Sequence, residues 1–129
     1  MPPIRRIPSG GPWEGRVGYC RAVVAGPWVL VSGTTGTDPA TGAIPARVED
    51  QCALALRILE AALREAGCAL ADVVRVRYIL PDRADFEPCW PLLRAAFAAH
   101  PPAATMIEAG LIDLRHRIEI EAEALKPDA

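Results

Sequence analysis

The feature that most constrains the fold is a strict two-residue alternation near the end of the chain. From Arg117 to Ala124, isoleucine or alanine fills every second position, and glutamates fill three positions between them, Glu119, Glu121 and Glu123. Successive side chains of a β-strand point to opposite faces of a sheet, so this segment predicts a strand with one apolar and one acidic face. The apolar face must join a core. The carboxylates lie either on a solvated face or in a cleft, where one of them can act as a general base.

Three β-forming runs occupy the first part of the chain. Gly26 and Pro27 separate the last two runs, and because this dipeptide favours a turn, we expect a hairpin there. Prolines flank the first run and restrict it to a sheet edge, since proline cannot donate a backbone hydrogen bond. Gly33 is expected to end the third run. The runs are Ile4–Ile7, Tyr19–Ala25 and Trp28–Ser32.

Two segments repeat apolar residues at helical spacing. The first is Pro45–Ala66, in which Pro45 suits the first turn and Gly67 suits the C-terminal cap. The second spans about Asp85–Ala99, and its regular part is expected to begin near Pro88, because a proline deep in a helix loses a hydrogen bond. The apolar stripe of this second helix contains Phe86, Trp90, Leu93 and Phe97.

Two further strands complete the pattern, Asp72–Leu80 and Pro102–Ala109, and a turn-like connection follows the second. The element order is therefore β-β-β-α-β-α-β-β. Two helices with one apolar stripe each would cover one face of a six-stranded mixed sheet, an α+β two-layer sandwich formed by a single domain of residues 1–129. On the strand Asp72–Leu80, the helix-facing set is Val74, Val76, Tyr78 and Leu80, and the opposite set is Val73, Arg75, Arg77 and Ile79. We expect self-association to cover this second, half-apolar face.

Composition argues against several classes of function. The formal net charge is -2 and basic residues form no run, which argues against nucleic-acid binding. No apolar run approaches the roughly 20 residues that cross a bilayer, and no apolar segment of a secretion signal follows the basic N-terminus, so we expect a cytoplasmic protein with no membrane contact. The four cysteines form no C-x-x-C pair and neither histidine adjoins one, so no metal site is expected.

Several short motifs occur in a characteristic order. They are Val31-Ser32-Gly33, then Asp38-Pro39-Ala40-Thr41-Gly42 with Gln51 after it, Ala66-Gly67 followed by Asp72-Val73-Val74, Pro102-Ala103, and Ile118-Glu119-Ile120-Glu121-Ala122. In this order and spacing, over about residues 16–125, the chain resembles the Rid family of YjgF-like proteins, named for reactive intermediate deamination. The resemblance implies a homotrimer with its sheets around a central axis, helices outside and ligand clefts between subunits. It also implies hydrolysis of enamines and imines to a carbonyl product and ammonia, without a cofactor.

The resemblance assigns roles to individual residues. Glu119 matches the catalytic glutamate that positions the attacking water. Tyr19 and the pair Ser32-Gly33 match residues that line the substrate cleft. The arginine that clamps the substrate carboxylate follows Pro-Ala in the family, and this chain has Ala104 at that position.

The missing arginine leaves two interpretations open. Apolar residues at and near Ala104 would suit a neutral, more apolar ligand. Alternatively, Arg75 or Arg77 supplies the cation, unless both form structural ion pairs with glutamates of the last strand, and we include Arg77 among the expected binding residues. The remaining expected cleft residues are Trp90, Thr105 and Met106.

Two functions therefore remain open. The first is a deaminase-type hydrolase acting on an imine, an enamine or a related carbonyl compound, with altered or reduced activity because of Ala104. The second is a non-catalytic homotrimer that binds a small metabolite in the intersubunit cleft. Ribonuclease activity, attributed to some relatives, fits poorly with the acidic charge balance.

Overall fold

The computed structural model describes residues 3–127, which form one six-stranded sheet with two long helices on one face. The strands are β1 (Ile4–Ile7), β2 (Ala22–Ala25), β3 (Trp28–Thr35), β4 (Val73–Leu80), β5 (Ala103–Glu108) and β6 (Glu119–Leu125). The helices are α1 (Glu14–Val17), α2 (Val48–Glu65) and α3 (Phe86–Phe97). The strand order is β1-β2-β3-β6-β4-β5, and the pair β4–β5 is parallel while the other pairs are antiparallel. The α+β two-layer sandwich is confirmed, as is the order of its strands and two long helices, whereas the short helix α1 between β1 and β2 was not predicted.

The alternation of β6 determines which face of the sheet forms the core. The isoleucines and alanines at its alternate positions are at most 3% exposed, and α2 packs its own buried stripe against this face. The glutamates point to the opposite face, which no helix of the described chain covers. We call this second face the acidic face. The core residues contributed by β6 and the position before it are Ile118, Ile120, Ala122 and Ala124.

A bulge at the start of β4 changes the predicted facing of two valines. The register with β6 shifts between Val73 and Arg75. Val73 is 3% exposed and Val74 is 41% exposed, so the expectation that Val74 faces the helices was wrong. An extra residue in one strand reverses the in-out order on one side of the bulge, which a pure period-2 pattern does not reveal. Beyond the bulge, Val76 and Tyr78 are buried as predicted.

The boundaries of α2 differ from the prediction at one end. The helix begins at Val48, and the N-cap residue Arg47 is extended, with ψ 139°. Pro45 therefore precedes the helix and does not occupy its first turn. At the other end, Gly67 has φ +88° and donates its N–H to the carbonyl of Arg64 at 3.0 Å, which confirms the glycine cap.

Helix α3 starts at Phe86, earlier than expected, and continues through Pro91 on an exposed face. The predicted core role of Trp90 was wrong, because its side chain is 52% exposed. Cys89, the preceding residue, is fully buried and takes the core position between Phe86 and Leu93. Trp90 packs edge-on against Phe86, with ring centroids 6.1 Å apart, and so extends the aromatic cluster to the surface.

Gln51 ties α2 to the connection that leads into β6. Its side chain is fully buried, and its Nε2 donates to the carbonyls of Pro45 (2.8 Å) and Arg115 (2.9 Å). Its Oε1 accepts from the N–H of Arg117 at 2.8 Å. Gly36 packs against this residue so closely that a Cβ there would lie 2.6 Å from the Gln51 Cα. This one side chain therefore fixes the path of the backbone just before β6.

The connection of residues 109–118 passes the C-terminal end of β4 and does not form a hairpin. β4 lies between β5 and β6, so the two terminal strands are not neighbours. The guanidinium of Arg117 binds the carboxylate of Asp85 through two contacts of 2.8 and 3.0 Å, which anchors the connection to the start of α3. Nowhere in residues 3–127 does a helix combine the length and apolar character needed to cross a bilayer.

Candidate functional site

The pair Ser32-Gly33 forms a bulge in β3. The register with β6 shifts between Val31 and Thr34, so β3 carries one residue more than its partner over this stretch. The strand then continues to Thr35, and the expectation that Gly33 ends it was wrong. A bulge absorbs the extra residue and redirects nearby groups while pairing resumes beyond it.

The carboxylate of Glu119 lies directly against Gly33. A Cβ built on Gly33 would be only 2.8 Å from Cδ of Glu119, so any side chain at that position would displace the carboxylate. Glu119 is half-buried on the acidic face, and within residues 3–127 it has neither a hydrogen bond nor an ion pair. The missing side chain of Gly33 thus leaves a small recess that the Glu119 carboxylate occupies.

The surroundings of Glu119 favour its protonated form relative to a glutamate in water. Burial raises the pKa of Glu119, and repulsion from Glu121 raises it further, while the positive charge of Arg21 opposes both effects. A desolvated carboxylate without a partner is a stronger base than a solvated one. The group is therefore suited to accept a proton from a bound water.

The same desolvation predicts a pH-dependent gain in stability for Glu119→Gln. Because the folded-state pKa of Glu119 is raised, the wild-type protein loses stability as pH rises from the unfolded pKa through the folded pKa. Glutamine has no such loss, so the variant should be the more stable protein at pH 7–8, and the difference should shrink toward pH 4. Urea unfolding at several pH values measures this trend. Glu123→Gln, at an exposed position of the same strand, is the matched control, and a pH-independent difference for Glu119→Gln would contradict the prediction.

Arg21 reaches the same bulge from the neighbouring chain segment. Its Nη1 donates to Oγ1 of Thr34 at 2.9 Å, and its carbonyl accepts from the N–H of Ser32 at 2.9 Å. The side chain is half-buried; burial lowers the pKa of Arg21, and nearby negative charge opposes this effect. Arginine remains charged at neutral pH under such conditions. The residue was not among the predicted site residues, and its one sequence signal is its position two residues after Tyr19.

The chain segment that contains Tyr19 is joined to the bulge through Ser32. Tyr19 is 46% exposed in the segment between α1 and β2, and its ring is accessible to a ligand. The hydroxyl of Ser32 donates to the carbonyl of Cys20 at 2.6 Å, which ties this segment to the bulge. We call Tyr19, Ser32, Gly33 and Glu119, with Arg21, the bulge group.

Two other predicted residues lie on the opposite face of the sheet. In the β4–β5 pairing, Ala104 is opposite Val76 and Met106 is opposite Tyr78, and both partners face the helices. Because β5 is the edge strand, these side chains remain accessible, and Met106 is 51% exposed. Trp90 is exposed on α3, one of the two long helices on that face. We call Trp90, Ala104 and Met106 the edge group, and a single protomer does not bring it together with the bulge group.

The remaining predicted residues, Thr105 and Arg77, are neighbours on the acidic face. Arg77 donates to Glu121, so the structural ion pair that was one alternative for this arginine is present. Arg75 is exposed and faces Glu123 across the β4–β6 ladder. In the part of the chain that the structure describes, no three side chains of histidine, cysteine, aspartate or glutamate converge as metal ligands.

Comparison with known proteins gives consistent matches over nearly the whole chain. The family model described as Endoribonuclease L-PSP matches residues 13–126. The human protein named 2-iminobutanoate/2-iminopropanoate deaminase is 30% identical over 125 residues, which cover 95% of this chain and 91% of that protein. The crystal structure of Rv2704 from Mycobacterium tuberculosis, described as a member of the YjgF/YER057c/UK114 family, is 37% identical with a TM-score of 0.87, covering 95% of this chain and 99% of that one. The structure of E. coli TdcF with bound serine is 28% identical with a TM-score of 0.81, covering 95% and 94%.

Proposed function

Since the chain belongs to the YjgF or Rid family, whose model is described as Endoribonuclease L-PSP, we propose that it is a cytoplasmic hydrolase of the imine and enamine deaminase type. Relatives about 30% identical are named 2-iminobutanoate/2-iminopropanoate deaminase. The observation that carries the proposal is the half-buried, unpaired carboxylate of Glu119 against Gly33. The edge group, with Ala104 in place of an arginine, makes the activity differ from that of these relatives.

The proposed reaction converts an imine and water into a carbonyl compound and ammonia. Glu119 holds a water molecule and accepts one of its protons as the water oxygen bonds to the imine carbon. Glu119 passes this proton to the nitrogen, so the C=N double bond becomes a C–NH2 single bond. As the tetrahedral adduct collapses, Glu119 accepts the hydroxyl proton while the C=O bond forms, and it gives this second proton to the nitrogen, which leaves as ammonia. An enamine enters the same sequence after protonation on carbon gives the imine.

We also propose a homotrimer whose clefts join the bulge group of one subunit to the edge group of another. The two groups lie on opposite faces of one sheet, so a second copy is needed to complete a cleft. The acidic face also exposes several large apolar side chains, which self-association would cover. These side chains are Ile4, Trp28, Leu30, Val74, Ile107 and Leu125, each at least 41% exposed. A native mass of three times the 13.8 kDa of one chain is the expected result, and a native mass of one chain would remove the shared cleft.

The hydrolase proposal is tested by ammonia release from imines generated in the assay by an amino-acid oxidase. The expected result is hydrolysis faster than the spontaneous reaction for at least part of a panel that includes 2-iminopropanoate and 2-iminobutanoate. Absence of acceleration across the panel would contradict the proposal. It would favour the non-catalytic metabolite-binding trimer, for which Ala104 and the apolar edge group are the supporting observation.

A further inference from the structure

Arg21 carries a half-buried positive charge that has no ion-pair partner in residues 3–127. No carboxylate of this range lies within ion-pair distance of its guanidinium, although Glu14 and Glu119 are both near enough to offset part of the lowering of its pKa by burial. Of the five N–H groups of arginine, one is used, in the 2.9 Å bond to Oγ1 of Thr34. The Thr34 hydroxyl in turn donates to the carbonyl of Ser32 at 2.8 Å, which fixes the orientation of the acceptor. Burying part of a guanidinium without a neutralising partner costs free energy, and a bound anion would offset that cost.

On this geometry we infer that Arg21 binds the carboxylate of a 2-imino acid, the role for which the chain has no arginine at Ala104. The inference rests on the proposed hydrolase function and assigns its substrate class. A planar guanidinium matches a carboxylate through two parallel hydrogen bonds, and Arg21 has donors left for both. Arg21 bonds to Thr34 and the Glu119 carboxylate packs against Gly33, both in the bulge of β3, so one protomer would hold the substrate carboxylate near the attacking water.

The other arginines near the acidic face are less suited to this role. Arg77 is engaged by Glu121. The residue of β4 opposite Glu119 is Ile79, and Arg75 lies four positions farther along the strand, a distance of roughly 13 Å at 3.3 Å per residue. No arginine of β4 therefore stands in the same row as Glu119.

Arg21→Gln is expected to raise KM for 2-iminopropanoate by about 10²-fold while leaving kcat within a few-fold, because a desolvated charge pair is lost. An imine without a carboxylate, generated by an amine oxidase, should be hydrolysed with a KM changed less than about threefold. Arg21→Lys keeps the charge but lacks the planar pair of N–H donors, so its KM should lie between those of wild type and Arg21→Gln. Arg75→Gln is the matched control for removal of a cation near the acidic face. Equal losses on the two substrates, or no loss on either, would overturn the inference.

A binding measurement separates failure of this inference from failure of the hydrolase proposal. Calorimetric titration with pyruvate, the product of 2-iminopropanoate hydrolysis, needs no turnover. Pyruvate binding that is lost in Arg21→Gln and kept in Arg75→Gln supports the carboxylate site even if the protein hydrolyses no imine. Turnover of 2-iminopropanoate together with pyruvate binding unaffected by Arg21→Gln rejects the carboxylate site and leaves the hydrolase proposal intact. Absence of pyruvate binding to the wild-type protein also rejects the site. Where Arg21→Gln does not fold, Arg21→Lys provides the comparison.

Discussion

Glu119→Gln is expected to lower kcat/KM for imine hydrolysis by about 10³-fold, because a positioned general base contributes on the order of 10²–10⁴. Glutamine has nearly the same shape and fits the recess beside Gly33, but it cannot accept the proton of the attacking water. Burial raises the pKa of Glu119, so the wild-type rate should fall on the acid side at a pH above that of an ordinary glutamate. The measurement is ammonia release as a function of pH for wild type and variant.

Glu123→Gln makes the same chemical change on the same strand and the same face, four residues away, and should keep most of the activity. Its position is exposed and faces Arg75, not the bulge. A Glu119→Gln protein that retains more than about a tenth of the wild-type kcat/KM would remove Glu119 from the reaction. An equal loss in both variants would assign the effect to net charge on the acidic face.

The local sequence pattern was sufficient to predict which face each side chain takes where a strand keeps its two-residue period without interruption. The alternation of β6 fixed both its core side and the facing of Glu119, because no bulge interrupts its own backbone. It was not sufficient at β4, where the bulge reverses the predicted facing of Val73 and Val74, or at Gly33, where β3 continues past a glycine that resembles a strand end. Bulges are properties of the pairing between strands, so the sequence of one strand does not determine them.

The candidate site was likewise only partly predictable from the sequence. Resemblance to a family identified Glu119 and Gly33 as separate positions, and the bulge brings them into contact. The facing of Ala104 depends on the parallel pairing of β5 with β4, which joins segments far apart in the sequence. The one sequence signal for Arg21 was its position two residues after Tyr19, and an arginine next to a strand is most often a solvated surface residue. The role inferred for it follows from its half-buried side chain and from the absence of an ion pair in residues 3–127, and both depend on tertiary structure.

Gln51 contributes to this site from a distance, because the connection it anchors leads directly into β6. Two of its three hydrogen bonds hold the backbone at Arg115 and Arg117, and Arg117 lies two residues before Glu119. Any change that loosens this anchor would let the start of β6 move, and the position of the Glu119 carboxylate against Gly33 depends on that start. A change at Gln51 should therefore affect both the stability and the proposed catalysis.

Gln51→Leu is expected to lower the free energy of unfolding by about 3 kcal/mol, because buried groups left without partners cost roughly 1–3 kcal/mol each. Leucine preserves the apolar volume but leaves the N–H of Arg117 and the carbonyls of Pro45 and Arg115 unpaired in the interior. Urea unfolding measures the loss, and amide hydrogen exchange should show reduced protection at Arg117. Arg57→Leu, at an exposed position of the same helix, should change stability by no more than about 0.5 kcal/mol. Full protection of the Arg117 amide in Gln51→Leu would show that the connection is held by other contacts, chiefly the pair of Arg117 with Asp85.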